Sequence, residues 1–400
     1  MTHIDIIGNT SLSEQFIEIV ERKGLGHPDT ICDALVENVS IKLSQEYIKR
    51  FGTVLHHNID KAYLVAGKSE IAFGGGSIIE PIRFIYGDRA TTYVDGYEPI
   101  PVKEISDKAV NSWIKENLIH SPPYHIIPEC VLKEGSDNLK DIFNRGGKYL
   151  GANDTSAVVG YAPKTELEES VIELENHINS KKFKDEHPES GMDVKVMSRR
   201  YGNEVSITLA NAIIDKEIRD IYEYRDTKYK IKKDIFVYLT NKWDDKNLCL
   251  RDLKINALDK YYRGKDGLYL TVSGLSAESG DSGQVGRGNN PAGVIPVCRP
   301  ASAEAASGKN PVSHVGKIYS VLANKMAEAI YDNIDNIKEV YVHMVSEIGK
   351  PINEPALVSV KIIEDGYLSN TRRIDRIVDE HLENMDTFIK NLQTGKFKTY

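Results

Sequence analysis

Small residues surround a set of formal charges in the 273–317 stretch: Glu278, Asp281, Arg287, Arg299, Lys309, His314 and Lys317. Glycines there let the backbone adopt positive φ and bring N–H groups close to a bound group. Cations beside such a backbone form a cradle for a polyphosphate. A Gly/Ser-rich run can also be a flexible linker, but linkers seldom carry ordered charge pairs. This stretch also holds an apolar segment, 292–297, expected as a short buried strand. Two standard phosphate motifs are excluded. Gly308-Lys309 has Ala303 where a P-loop needs its first glycine and Asn310 where it needs Ser or Thr. Gly283, Gly286 and Gly288 run in the reverse of the dinucleotide-binding spacing.

Two further stretches carry chemistry. In ERKGLGHPDTICD, Pro28 suits the first turn of a helix, and Ile31, Leu35, Val39 and Leu43 recur as an apolar stripe. Asp29, Asp33 and Glu37 share the opposite face, where a solvated, dipole-facing carboxylate is the plain reading, and it fits Glu37. His27 and Asp29 stand instead at the helix mouth, where N–H groups and the dipole attract an anion that a divalent cation on Asp29 could accompany. In GANDTSAVVGYAP, Asn153-Asp154-Thr155 taken alone reads as a turn satisfying its own backbone.

The elements that must position these residues follow from patterning. Strands are expected over 16–20, 62–66, 71–73, 81–86, 124–132, 157–161, 193–197, 205–210, 235–240, 268–272, 340–345 and 357–362. Helices are expected from 28 onward and over 107–118 (capped by Ser106 or Asp107), 166–178, 214–224, 312–331 and 374–392. Residues 224–234 read as an exposed helix end and loop. Strands and helices mix without strict alternation, so the class is α+β. Four hundred residues exceed one ordinary core, and two or three packed units are expected. A net charge of −8 argues against a nucleic-acid footprint. Cys32, Cys130, Cys249 and Cys298 are too dispersed for a zinc site and are expected as reduced, mostly buried thiols. No apolar run suits a membrane span or a signal core, which makes a cytoplasmic location the expectation.

Taken in order, ERKGLGHPDTICD, the Asn58-x-Asp60-Lys61 segment with FGGGSIIEPI, GANDTSAVVGYAP, DVKVM, SGDSGQVGRGNNP and SGKNP run through nearly the whole chain. This ordered set resembles the S-adenosylmethionine synthetases (methionine adenosyltransferases) of the archaeal type. The resemblance implies three similar strand/helix units with mixed sheets around a pseudo-threefold axis. Their approximate bounds are 1–135 with the GHPD mouth, 136–250 with the GANDTS loop and 251–400 with the glycine-rich loops, and elements are free to interleave. It implies a homodimer or larger assembly paired through its sheets, with active sites between subunits. The reaction implied is ATP, L-methionine and water giving S-adenosylmethionine, orthophosphate and pyrophosphate, with Mg²⁺ and K⁺.

Residue by residue, the resemblance implies that His27 helps the triphosphate leave and that Asp29 is a magnesium ligand, while Asp60 matches loosely a carboxylate near potassium. Gly151, Ala152, Asn153, Asp154, Thr155 and Ser156 would form a substrate loop. Asp281 would touch methionine or adenosine, Arg287 and Lys309 the phosphates, and His314 the ATP. Gly288 and Asn310 depart from the bacterial and eukaryotic pattern, which leaves the second magnesium ligand open. Lys195, Arg199 and Arg200 compete for the place nearest the transferring centre. A phosphotransferase leaving ADP and a nucleotide sensor without turnover are the rival readings. The His-Pro-Asp mouth and the Asp-Ser-Gly-x-x-Gly-Arg loop together weigh against both.

Overall fold

A computed structural model describes residues 2–8, 10–366 and 371–400. Its frame is one pattern of elements used three times: one or two helices, two antiparallel strands, one or two further helices, and an edge strand parallel to the second strand. The first unit runs α1 (Pro28–Phe51), β3 (His57–Val65), β6 (Ile82–Ala90), α2 (Val102–Asn117) and β7 (Ile126–Cys130), with a small hairpin of β4 (Lys68–Glu70) and β5 (Ser77–Glu80) inserted. A short α3 (Asp137–Asp141) follows. The second runs α4 (Glu166–Ile178), α5 (Lys181–Glu186), β9 (Ser190–Tyr201), β10 (Glu204–Ile214), α6 (Ile221–Lys242) and β11 (Cys249–Ile255), with β12 (Leu270–Thr271) beside β10. The third runs α7 (Val315–Asn333), β14 (Ile337–Val345), β15 (Leu357–Glu364), α8 (Thr371–Glu383) and α9 (Met385–Gln393), and its parallel edge strand is the N-terminal β1 (Thr2–Gly8).

The strand before each unit's first helix leaves for another sheet. β2 (Ile17–Lys23), just before α1, pairs antiparallel with β9 of the second unit. β8 (Ala157–Ala162), just before α4, pairs with β14 of the third. β13 (Gly283–Gln284), upstream of α7, pairs with β3 of the first. The exchange closes after three steps and ties each unit to its neighbours through the backbone, while the parallel edge strands β7, β11 and β1 make the three sheets mixed. Each sheet also carries its own apolar core: around Leu35, Leu64 and Phe84; around Leu174, Val196 and Leu209; and around Leu322, Val342 and Val360. Burial of these side chains is the dominant stabilising term.

Several expectations are corrected. The 214–224 helix and the 235–240 strand are replaced by α6, because Tyr224, Thr227, Ile231, Ile235 and Leu239 form one buried helical stripe behind a Lys- and Tyr-rich exterior. Asp220 starts it, accepting the N–H groups of Tyr222 and Glu223. The exposed helix end and loop expected over 224–234 is therefore helix interior. Residues 71–73 form a turn region, and of the 292–297 segment only Ile295 is bridged, to Glu21. The α2 helix starts at Val102, ahead of the expected caps, and the last helix is broken at Asn384. Only Cys32 is fully buried, with Cys249 and Cys298 exposed, and all four thiols are free. Among the described residues no helix is long and apolar enough to cross a membrane.

The largest correction concerns the acidic face of α1. Asp29, Asp33 and Glu37 are 7%, 2% and 6% exposed, not solvated. They accept the backbone N–H groups of Gln284, Gly286 and Gly308 respectively, at 2.9, 3.0 and 2.9 Å. Spacing of four residues places the three carboxylates along one helix face. The glycine-rich segment is laid against that face, and several of its amides are spent on carboxylates rather than left for a ligand.

Candidate active site

A cavity of about 970 Å³ opens where β3 and β6 meet the 153–157 and 284–287 segments and the loop before α7. Lys61, Arg89, Arg287, Lys309 and His314 line it, together with the carboxylates of Asp60, Asp154 and Glu304. Each arrives by a local device. Asn58 pairs with Arg89 and Lys61 with Gly87, so Ile59 and Asp60 together oppose Asp88 in a bulge. Bulges re-aim side chains, and Asp88 holds a φ of 95°, a costly conformation for a residue with a Cβ. The Asn58 amide donates at 2.9 Å to both Asp60 and Asp88, which fixes the bulge.

Lys309 is clamped through its backbone. Gly308 donates to Glu37, Ile59 donates to the Gly308 carbonyl at 2.9 Å, and Ser40 Oγ donates to the Lys309 carbonyl at 3.0 Å. Glu37 in turn holds Lys317 at 2.8 Å, so Lys317 is a buried tie between α1 and α7 and no part of the cradle. Arg299 is likewise structural: it binds Glu168 and Glu339 while stacked over Tyr161. The Lys309 ammonium contacts Glu304 and lies 3.8 Å from Asp60.

His314 caps α7, its Nδ1 accepting the Gly316 N–H at 3.3 Å. Burial, with Lys309, Lys317, Lys61 and Arg89 nearby, pushes its pKa well below the ordinary histidine value. The ring is therefore neutral at neutral pH, and the cap leaves Nε2 carrying the proton. Asn153 Oδ1 accepts the first N–H of α7, from Val315, at 3.3 Å. Asp154 accepts the Thr155 N–H in a turn, and Thr155 Oγ1 accepts from Ile348 N. Gly151 lies on the loop before α7's sheet, bridged to Pro351, and Ala152 is buried with its N–H on the Lys350 carbonyl. Ser156 Oγ donates to Glu304 at 3.0 Å.

His27 and Asp29 lie outside this cavity, behind Gln284. His27 caps α1, with Nδ1 accepting from Asp29 N at 3.2 Å, and burial lowers its pKa to about 4. Asp29 spends one oxygen on Lys23 at 2.8 Å and the other on Gln284 N. Of the three competing cations, Lys195 pairs with Glu21 and faces Lys23 across β2 and β9, within electrostatic reach of His27. Arg200 is committed to Glu18 and to the carbonyls of Leu12, Gln15 and Gly202, while Arg199 is exposed. Asp281 sits elsewhere, on a separate cavity of about 670 Å³ lined also by Leu258, Tyr262, Tyr269 and Ser276. Ser276 Oγ donates to it at 3.1 Å. Residues 281–287 thus join an apolar cavity to a cationic one.

The profile of the S-adenosylmethionine synthetase (AdoMet synthetase) family matches residues 2–396. The chain belongs to that family. It is a methionine adenosyltransferase. It is 43% identical over 97% of its length to the S-adenosylmethionine synthase of Hyperthermus butylicus, covering 97% of that protein. It is 39% identical over 99% of both chains to that of Methanothermobacter thermautotrophicus. An unusual S-adenosylmethionine synthetase from Campylobacter jejuni has the same fold, with a TM-score of 0.63 at 16% identity, covering 94% of this chain and 90% of that one.

Family members use a divalent metal with ATP, and the cavity fits one. Among the described residues no cluster of three His, Cys, Asp or Glu side chains forms a self-sufficient cage. Mg²⁺ does not need one, since it takes one or two carboxylates plus phosphate oxygens. Asp60 and Asp154 line the cavity, and Asn58 Oδ1 is buried beside them without a partner. Sequence reasoning missed Arg89, Asn58 as an anchor, and Glu304. Arg89 and the anchoring role of Asn58 follow from the β3–β6 register, which sets the two opposite each other and which the sequence pattern did not give; Glu304, five residues before Lys309 among alanines, carried no signal.

Proposed function

We propose that the cationic cavity receives the triphosphate of ATP while the methionine sulfur attacks the ribose 5′ carbon, and that the tripolyphosphate released is then hydrolysed to orthophosphate and pyrophosphate. The observation that carries this reading is the convergence of Lys61, Arg89, Arg287 and Lys309 with a neutral His314 in one cavity. A thioether sulfur is nucleophilic without deprotonation, so no general base is needed. What the step demands is stabilisation of charge gathering on the leaving oxygen, and preorganised cations and N–H donors provide it. Lys309 acts as a clamped point charge and Arg287 as a planar fork at the rim. His314 Nε2–H donates without adding charge, and its helix adds a favourable dipole.

The apolar cavity beside Asp281 suits the methionine or adenosine end, with the carboxylate taking an ammonium or hydroxyl. Bound Mg²⁺ would neutralise and orient phosphate oxygens, held by Asp60 and Asp154 with Asn58 Oδ1; Asp60 is also the carboxylate proposed for K⁺. Asp29 can bind magnesium only through its remaining lone pairs or in exchange for Lys23. His27 and Lys195 would complete a site from the α1 mouth. Self-association is part of the proposal, supported by exposed apolar side chains on strands, among them Ile17, Tyr63, Ile127 and Tyr201. The test is to incubate the protein with ATP, methionine, Mg²⁺ and K⁺ and identify every product. S-adenosylmethionine with orthophosphate and pyrophosphate is expected; ADP as the main product would overturn the reading.

A further inference from the structure

Glu304 occupies an anion position inside the cationic cavity. Its Oε2 contacts Lys309 Nζ, and its Oε1 accepts from Ser156 Oγ at 3.0 Å. A Cβ built on Gly316 would lie 2.7 Å from Glu304 Oε2 and 2.8 Å from Lys309 Nζ, so the pair is seated against the first turn of α7. Carboxylate, lysine and helix N-terminus together make the arrangement in which a phosphate is bound.

The two partners are held very differently. Lys309 is 5% exposed on a backbone clamped from both sides, whereas Glu304 is 28% exposed. Among the described residues, 300–307 makes no backbone–backbone hydrogen bond; Glu304 N is held only by Ser302 Oγ at 3.1 Å. Small side chains, Ala301, Ala303, Ala305 and Ala306, surround it. Withdrawing the glutamate therefore breaks side-chain contacts without undoing a helix or a ladder, and leaves Lys309 where it was.

We propose that Glu304 is an internal counter-ion standing in for phosphate: the polyphosphate displaces it from Lys309 and Ser156, and its return helps expel the phosphate products. The inference rests on the cavity being the triphosphate site. It predicts that removing the charge strengthens polyphosphate binding, the opposite of what removing a metal ligand would do.

The experiment is calorimetric titration of inorganic tripolyphosphate into the full-length protein, with EDTA and separately with Mg²⁺. Wild type, Glu304→Gln, Glu304→Asp and Lys309→Ala are compared, each first shown to be folded by circular dichroism. Glu304→Gln should bind about tenfold more tightly in both conditions, at the low end of couplings measured for close charge pairs. Glu304→Asp, whose carboxylate is drawn back by one methylene, should fall between it and wild type. Equal affinities for Glu304→Gln and wild type overturn the inference, as does weaker binding by Glu304→Gln with Mg²⁺, which would make Glu304 a metal ligand. Loss of binding in Lys309→Ala confirms the cavity; tripolyphosphate binding that ignores Lys309 overturns the cavity reading itself, and the inference with it.

Discussion

The first helices of the three units, α1, α4 and α7, occupy equivalent places, yet their N-termini are finished differently. At α4 the cap is Thr165, whose hydroxyl accepts the Glu168 N–H while the Glu168 carboxylate takes the Thr165 N–H. Arg299 neutralises Glu168 and Glu339, Tyr161 donates to Glu168, and Arg200 holds Glu18 beside Thr165. At α1 and α7 the caps are His27 and His314, each accepting through Nδ1 and each held neutral by burial. Lysines stand near both: Lys23 and Lys195 at α1, Lys309 and Lys317 at α7. The positive end of a helix attracts an anion. At α4 that charge is a carboxylate locked by Arg299, whereas at the other two a neutral imidazole stands among lysines, with Asp29 and Glu304 as the nearby carboxylates. On the proposed function, one topological position serves once for cohesion and twice for chemistry.

The comparison breaks most sharply at Arg299. Replacing it with alanine strands two buried carboxylates, and losing one member of a buried pair costs about 3–5 kcal/mol. Arg299→Ala should show that loss in denaturant unfolding, while whatever fraction remains folded keeps near-normal turnover. A large fall in turnover without loss of stability would place Arg299 in the site instead.

A finer test keeps the caps and removes the chemistry. Asparagine is among the best N-cap residues, so His27→Asn and His314→Asn should hold stability to about 0.5 kcal/mol at pH 8. Each should lower turnover by about 10²-fold through loss of the Nε2–H donor, a magnitude usual for one positioned group. Thr165→Ser, measured alongside, should change neither. The pH dependence has a definite sign. His27 titrates near 4 when folded and near 6.5 when unfolded, so between those values the unfolded chain binds the extra proton. The wild type should lose stability as pH falls from 6.5 towards 4, and His27→Asn should lose less over the same window.

The fold was largely legible because its cores follow simple periods: the α1 stripe, the β9–β10 pair and the α4 helix stand where apolar spacing places them. The cyclic exchange of β2, β8 and β13 was not, since each is a short strand whose partner lies far along the chain. In the site, Asp60, Asn153, Asp154, Arg287, Lys309 and His314 do converge on one cavity. Reading Asp33 and Glu37 as solvent-facing failed because helical spacing shows that acids share a face without showing what covers it. Here the cover is a glycine-rich backbone whose N–H groups the carboxylates accept, although burial still pushes the Asp33 pKa up to about 7.

The central claim is that cations in the cavity act on the leaving group as charge develops, rather than merely holding ATP. It is tested most directly by single-turnover formation of S-adenosylmethionine at saturating ATP and methionine, on folded Arg287→Ala and Lys309→Ala. If these side chains face the triphosphate, each variant should lose about 10²–10³-fold in the chemical step, as for removal of an oxyanion donor. Rates within about threefold of wild type, less than a single 1.36 kcal/mol step, would contradict the account.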